Sequence, residues 1–203
     1  MNVFISFLLA TFCCRLQRQT ALIFFIGFCC YVPASNATAA DEYAIKAAFL
    51  YKLALFIHWP NEIFPATGEK FKICLLGKDP FGEIIDNTTK TVNIKGSPLL
   101  IERFTEDVLN KTPPEKLKQC HILFIKLKYL KTTEGILSSI GEHSILTVSE
   151  DDGFMSVGGM IQFYTQDTRI RLRINRNELE SAKLKPEATL LSLATICTRE
   201  QCE

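Results

Sequence analysis

Three short stretches of this chain are apolar at nearly every position instead of every second one: residues 71–76 (FKICLL), 120–125 (CHILFI) and 144–148 (SILTV). Successive side chains of a strand point to opposite faces of its sheet, so a strand with one wet face alternates polar and apolar residues. Strands apolar throughout are buried on both faces, which occurs where helices cover both sides of a parallel sheet.

The segments between these runs fit that arrangement. Asp41 is a good N-cap, and Ile45, Ala48, Phe49, Leu53 and Phe56 follow at helical spacing. That helix is expected to stop near Trp59-Pro60, because proline disfavours a helical residue before it. A second helix opens at Phe81 after Asp79-Pro80, residues 98–104 (PLLIERF) read as a strand, and residues 105–118 as helix or loop around Pro113-Pro114. A helix then begins at Thr133-Glu134 and stops at Gly141. Strand and helix alternate, which predicts an α/β fold: one domain with a mostly parallel sheet flanked by helices.

The pattern changes near the C-terminus. Residues 160–164 and 169–174 each alternate with period two around the linker 165–168 (TQDT), which predicts an antiparallel hairpin with one buried face. Ile170, Leu172 and Ile174 point inward, and Arg169, Arg171 and Arg173 point the other way. Gly158-Gly159 permits a tight entry into the hairpin. From Asn177 onward the chain reads as a short helix and then a longer one opening at Pro186, with Leu190, Leu191, Leu193 and Ala194 as its apolar stripe.

The first forty residues have a different character. Arg15 and Arg18 precede an apolar run of about twelve residues, 21–32, too short for the roughly twenty residues of a membrane span. Ala37 and Ala39 then give the small-x-small pattern of a signal-peptidase site. Residues 1–39 are therefore expected to be a cleaved leader and residues 40–203 the exported domain, although a second apolar stretch, 3–14, lies before the arginines. Two of the 23 Lys and Arg leave with the leader, so 21 face 22 Asp and Glu. That balance lacks the basic excess of a nucleic-acid binder.

Four of the eight cysteines also leave with the leader. Cys74, Cys120, Cys197 and Cys202 remain, an even number in an oxidising compartment, where two disulfides are the default and three pairings are open. No C-x-x-C pair suggests a metal site, and His58, His121 and His143 have no metal-like spacing. Neither G-x-G-x-x-G nor G-x-x-x-x-G-K-[ST] occurs, nor a nucleophile elbow or H-E-x-x-H, so no catalytic residue or cofactor is nominated. Residues 150–153 (EDDG) lack calcium-loop spacing and read as a solvated acidic loop.

Several segments, in order, resemble the YfiR family of periplasmic proteins: Ala47-Ala48-Phe49-Leu50-Tyr51 leading to Trp59-Pro60, Cys74-Leu75-Leu76-Gly77, Cys120-His121-Ile122-Leu123-Phe124-Ile125, Ile145-Leu146-Thr147-Val148-Ser149, Phe154, and Gly158-Gly159-Met160-Ile161. Arg171-Leu172-Arg173-Ile174-Asn175 and Leu190-Leu191-Ser192-Leu193-Ala194 complete the likeness. The resemblance implies a compact α/β fold without catalytic chemistry. It implies a periplasmic repressor that binds the sensory domain of a YfiN-like membrane diguanylate cyclase and lowers cyclic di-GMP and biofilm formation. A YfiB-like outer-membrane lipoprotein is the implied sequestering partner, and a homodimer the implied assembly.

The resemblance also implies a disulfide between Cys74 and Cys120. Cys197 and Cys202 can pair near the C-terminus, a departure from the family pattern. Arg171 and Arg173 fall within a family segment, and with Arg169 they form a row suited to an acidic ligand or a carboxylate-bearing partner. The same row also serves as a solvated face that keeps a strand soluble. Trp59 either packs on the core or contacts a ligand. Against the repressor stands a second reading, a periplasmic module binding a small anionic or aromatic metabolite for another receptor.

Overall fold

The computed structural model describes residues 39–201 apart from 67, 107–113 and 142. The leader expected over residues 1–39 lies outside the described residues except for Ala39, which opens the first helix. Helix α1 (Ala39–Phe56) is followed by β1 (Ile57–His58), β2 (Phe71–Gly77), α2 (Glu83–Thr89), β3 (Asn93–Ile94) and β4 (Ser97–Phe104). Then come α3 (Pro114–Leu117), β5 (Ile122–Lys126), α4 (Leu130–Ile140), β6 (Leu146–Ser149), β7 (Ile161–Gln166) and β8 (Arg169–Asn175). Helix α5 (Arg176–Ser181), β9 (Lys185–Pro186), α6 (Ala188–Ser192) and β10 (Ala194–Cys197) close the described chain.

Eight strands form one sheet in the order β10-β8-β7-β6-β5-β2-β4-β3. Strands β4, β2, β5, β6 and β7 are mutually parallel neighbours, as the continuous apolar runs predict. Strands β7 and β8 are the expected antiparallel hairpin, in register from Ile161 opposite Ile174 to Gln166 opposite Arg169. Its two-residue turn, Asp167 and Thr168, has positive φ at both positions (49° and 61°). That is the type I′ geometry whose twist matches the flanking strands. At the hairpin's entry Gly158 has φ 94°. A Cβ on Gly159 would lie 2.3 Å from the Phe154 ring, so the tight approach needs glycine.

Each parallel strand divides its side chains between two apolar layers. Ile73, Leu75, Ile122 and Phe124 pack with Leu50, Leu53 and Ala54 of α1 and Ile85 of α2. Leu76, Leu123 and Ile125 face the opposite layer, with Ile140 of α4, Phe154 and Met155. Truncating one of these fully buried leucines to alanine would cost about 2–5 kcal/mol.

Five expectations are corrected. Helix α1 starts two residues before Asp41, which lies in its first turn with Glu42, where carboxylates suit the positive end of the helix. Its buried stripe is Ala47, Leu50, Leu53 and Ala54, while Ile45 is 47% exposed. The helix ends at Phe56, because Ile57 and His58 pair with Pro186 and Lys185 of β9. Helix α4 begins at Leu130 instead of Thr133.

The fifth correction is the largest. The long C-terminal helix is absent: α6 has five residues, and Ala194–Cys197 is a strand parallel to β8. Thr195 and Ile196 are β-branched and favour the open edge of β8 over another helical turn. Leu193, assigned to the apolar stripe, is 63% exposed.

Candidate functional site

In a parallel sheet, ligands gather outside the carboxyl ends of the strands. Here β6 ends at Ser149, whose Oγ donates to the Ile125 carbonyl (2.7 Å) and accepts from the Asp151 N–H (3.1 Å). That local fold turns Glu150 under α1, leaving 8% of its side chain exposed. Its carboxylate pairs with the ammonium groups of Lys46, on α1, and Lys126, the last residue of β5. Tyr43 Oη donates to it at 3.0 Å, and Glu42 holds Lys46 from the other side at 2.5 Å.

Buried charges persist only when paired, and removing one partner strands the others. The titration shifts follow from this geometry. Burial alone would raise the Glu150 carboxyl, but the hydrogen-bonded Lys126 and Lys46 hold it below the ordinary carboxylate value. Burial opposes the charged forms of both lysines, yet Glu150 holds each above its ordinary value. Asp151, 3.7 Å from Lys126, is pushed up by burial and by its neighbour Glu150.

A polar chain runs from this cluster to the hairpin. The Asp151 carbonyl accepts from Gln162 Nε2 (2.8 Å), and Gln162 Oε1 accepts from Arg173 Nη1 (3.2 Å). The guanidinium of Arg173 lies over the Tyr164 ring, 4.3 Å from its centroid, and Tyr164 Oη bonds Thr195 of β10 (3.1 Å). A cleft of about 440 Å³ opens here, bordered by Lys46, Glu150, Asp152, Tyr164 and Arg173. A second cleft, about 320 Å³, is lined by Arg173, Arg199, Gln162 and Ser156. Arg199 is paired with Glu178 at 2.6 Å. Arg173 has no carboxylate within 4.0 Å among the described residues.

Of the residues singled out from sequence, Arg169 and Arg171 are exposed on the same hairpin face as the half-buried Arg173. Trp59 is elsewhere: it is 7% exposed and packs edge-on against Phe71 at 5.3 Å. Cys74 and Cys120 are joined in a disulfide with Cα atoms 5.9 Å apart. Cys197 is itself disulfide-bonded, and Cys202 lies outside the described residues. His121 is a satisfied core residue. Its Nδ1 accepts from the Lys72 N–H (3.0 Å), its Nε2–H donates to the Ile63 carbonyl (3.2 Å), and burial lowers its pKa.

The acidic loop is the correction at this site. Asp152 borders solvent-filled space, but Glu150 is the buried centre of a charge cluster. Tyr43, Lys46 and Lys126 were missed with it. The available signals were the Glu42–Lys46 spacing of four on a helix and the position of Lys126 and Glu150 just beyond two apolar strands. Among the described residues no group of three or more His, Cys, Asp or Glu side chains could hold a metal ion. No described helix is long and apolar enough to cross a membrane.

The chain matches the YfiR/HmsC-like family over residues 43–195. Among solved structures it resembles a conserved domain protein from Vibrio cholerae O1 biovar eltor, with a TM-score of 0.52 and 10% sequence identity. That likeness covers 75% of this chain and 59% of the other, so this chain spans about three fifths of that protein and shares its fold. No curated protein matches.

Proposed function

The chain belongs to the YfiR/HmsC-like family, and we propose that within it this protein represses a membrane diguanylate cyclase by binding that enzyme's periplasmic sensory domain. Membership implies a periplasmic regulatory role in cyclic di-GMP signalling rather than a catalytic one. In the finer reading, residues 1–39 are removed on export and residues 40–203 act as the regulator, as a homodimer. A YfiN-like cyclase is the target, a YfiB-like lipoprotein sequesters the repressor, and biofilm formation falls while the repressor is free.

One observation carries the choice of surface. Arg173 is held by Gln162 and Tyr164 with no carboxylate partner among the described residues, and Arg169 and Arg171 stand exposed beside it. A guanidinium fixed in this way is ready for a carboxylate on a partner, which its remaining N–H groups can meet without reorganisation. The test is capture of the exported protein by the periplasmic domain of a cyclase encoded beside it. Retention at micromolar concentration, weakened at least tenfold by Arg171→Ala with Arg173→Ala, is expected. Absence of retention by the oxidised wild type overturns the partner assignment.

The clefts flanking Arg173 favour a second reading, a module that binds a small anionic or aromatic metabolite for another receptor. A thermal-shift screen separates the two. A metabolite that raises the melting temperature strongly, with no protein retained, supports this alternative.

A further inference from the structure

The parallel strands run in the spatial order β4-β2-β5-β6-β7. The chain leaves β2 for β4 on one side, then crosses to β5 on the other. The connections therefore diverge between β2 and β5, and the carboxyl ends of two such strands bound the crevice where doubly wound sheets hold ligands. This crevice shares Lys126 with the cleft that Arg173 borders, but none of the hairpin's arginines lines it. It measures about 520 Å³ and is lined by Gly77, Lys78, Leu127 and Lys128, with Lys126 and the carboxylates of Glu106 and Asp151.

Its chemistry is uneven. Lys126 is engaged by Glu150 and Asp151. Lys78 and Lys128 are exposed, and neither ammonium has a carboxylate within ion-pair distance among the described residues. The Lys128 N–H donates to a carboxylate oxygen of Glu106 at 2.9 Å, so a carboxylate of the chain itself already lies in the crevice. Leu127 supplies an apolar floor. At Gly77 a Cβ would lie 2.1 Å from the Lys126 carbonyl oxygen, and φ is 90°. A side chain there would separate the two strand ends.

We propose that this crevice binds a small organic carboxylate with a short aliphatic body, its charge between Lys78 and Lys128 and its chain over Leu127. Electrostatic attraction selects the anion. Burial of methylene groups selects the chain. The test is a ¹H–¹⁵N NMR titration of the full chain, exported and purified, with hexanoate, with acetate and with chloride at equal ionic strength. Hexanoate should shift the amides of Gly77, Lys78 and Leu127 saturably in the millimolar range. Acetate should bind about tenfold more weakly, since it lacks most of the buried chain. Lys78→Ala with Lys128→Ala, both exposed positions, should weaken hexanoate about tenfold and leave the rest of the spectrum unchanged. Shifts that never saturate, equal affinity for acetate and hexanoate, or undiminished binding to the double variant each overturn the assignment.

Discussion

Glu150 and Arg173 border the same cleft, but their charges are handled in opposite ways. Glu150 is enclosed by Lys46, Lys126 and Tyr43, whereas Arg173 rests on an aromatic ring and a neutral amide. The first arrangement satisfies a charge inside the protein and so contributes to holding α1 on the sheet. The second orients a charge that no carboxylate among the described residues compensates, which suits recognition of something outside the chain. A charge with all its partners at home reads as structure; one that is positioned but unpaired reads as function.

Four sets of variants can break or sharpen that contrast. The scale comes from the Cys74–Cys120 clasp, which closes a 46-residue separation. Replacing both cysteines by alanine should cost about 4 kcal/mol on the chain-entropy view, measured by chemical denaturation. Glu150→Gln should come next, at about 3 kcal/mol, because it leaves Lys46 and Lys126 partly buried without their shared counter-charge. Arg173→Ala should cost less than about 1 kcal/mol of stability, as expected for one hydrogen bond and a ring contact at a half-exposed site. Its effect should fall on partner binding instead. Arg169→Ala, further out on the hairpin, should change stability by less than about 0.5 kcal/mol. If Glu150→Gln proved neutral and Arg173→Ala unfolded the protein, the contrast would be reversed.

Acid provides a finer test. Glu150 titrates below its ordinary value in the fold, so its contribution is complete above the unfolded carboxyl pKa, near ~4.3, and is lost as pH falls through the folded value. Lys46 and Lys126 are raised, so their contribution is complete below about 10.4 and is lost as pH rises through their folded values. Asp151 is raised and acts oppositely to Glu150, gaining relative stability as it is protonated. The cluster's contribution should therefore be flat near neutrality and decline on strong acidification, with Asp151 partly offsetting the loss. Stability curves of the wild type and Glu150→Gln should converge at low pH. Parallel curves down to the acid transition would contradict the assignment.

Much of the frame is legible in the chain because it is local. The runs FKICLL, CHILFI and SILTV mark three central strands, and the alternation around Asp167 and Thr168 fixes the hairpin and its register, hence the pairing of Gln162 with Arg173. The family likeness, rather than spacing, points to the bridge between Cys74 and Cys120. What escapes the sequence is set by distant partners. Glu150 meets Lys46 across 104 residues and Lys126 across 24, so an acidic loop reads as solvated until α1 is placed over it. Strand β10 is hidden for a similar reason. The Leu190 to Ala194 pattern is helical on its own, and only the open edge of β8 turns Ala194–Cys197 into a strand.

The most direct measurement is cellular cyclic di-GMP in a strain lacking this gene, complemented with the wild type or with the Arg171→Ala, Arg173→Ala variant at equal periplasmic abundance. Cyclic di-GMP should rise on deletion, fall with the wild type, and stay high with the folded variant. Full restoration by the variant, or no rise on deletion, would contradict the view that the unpaired arginine face is where this protein holds its target.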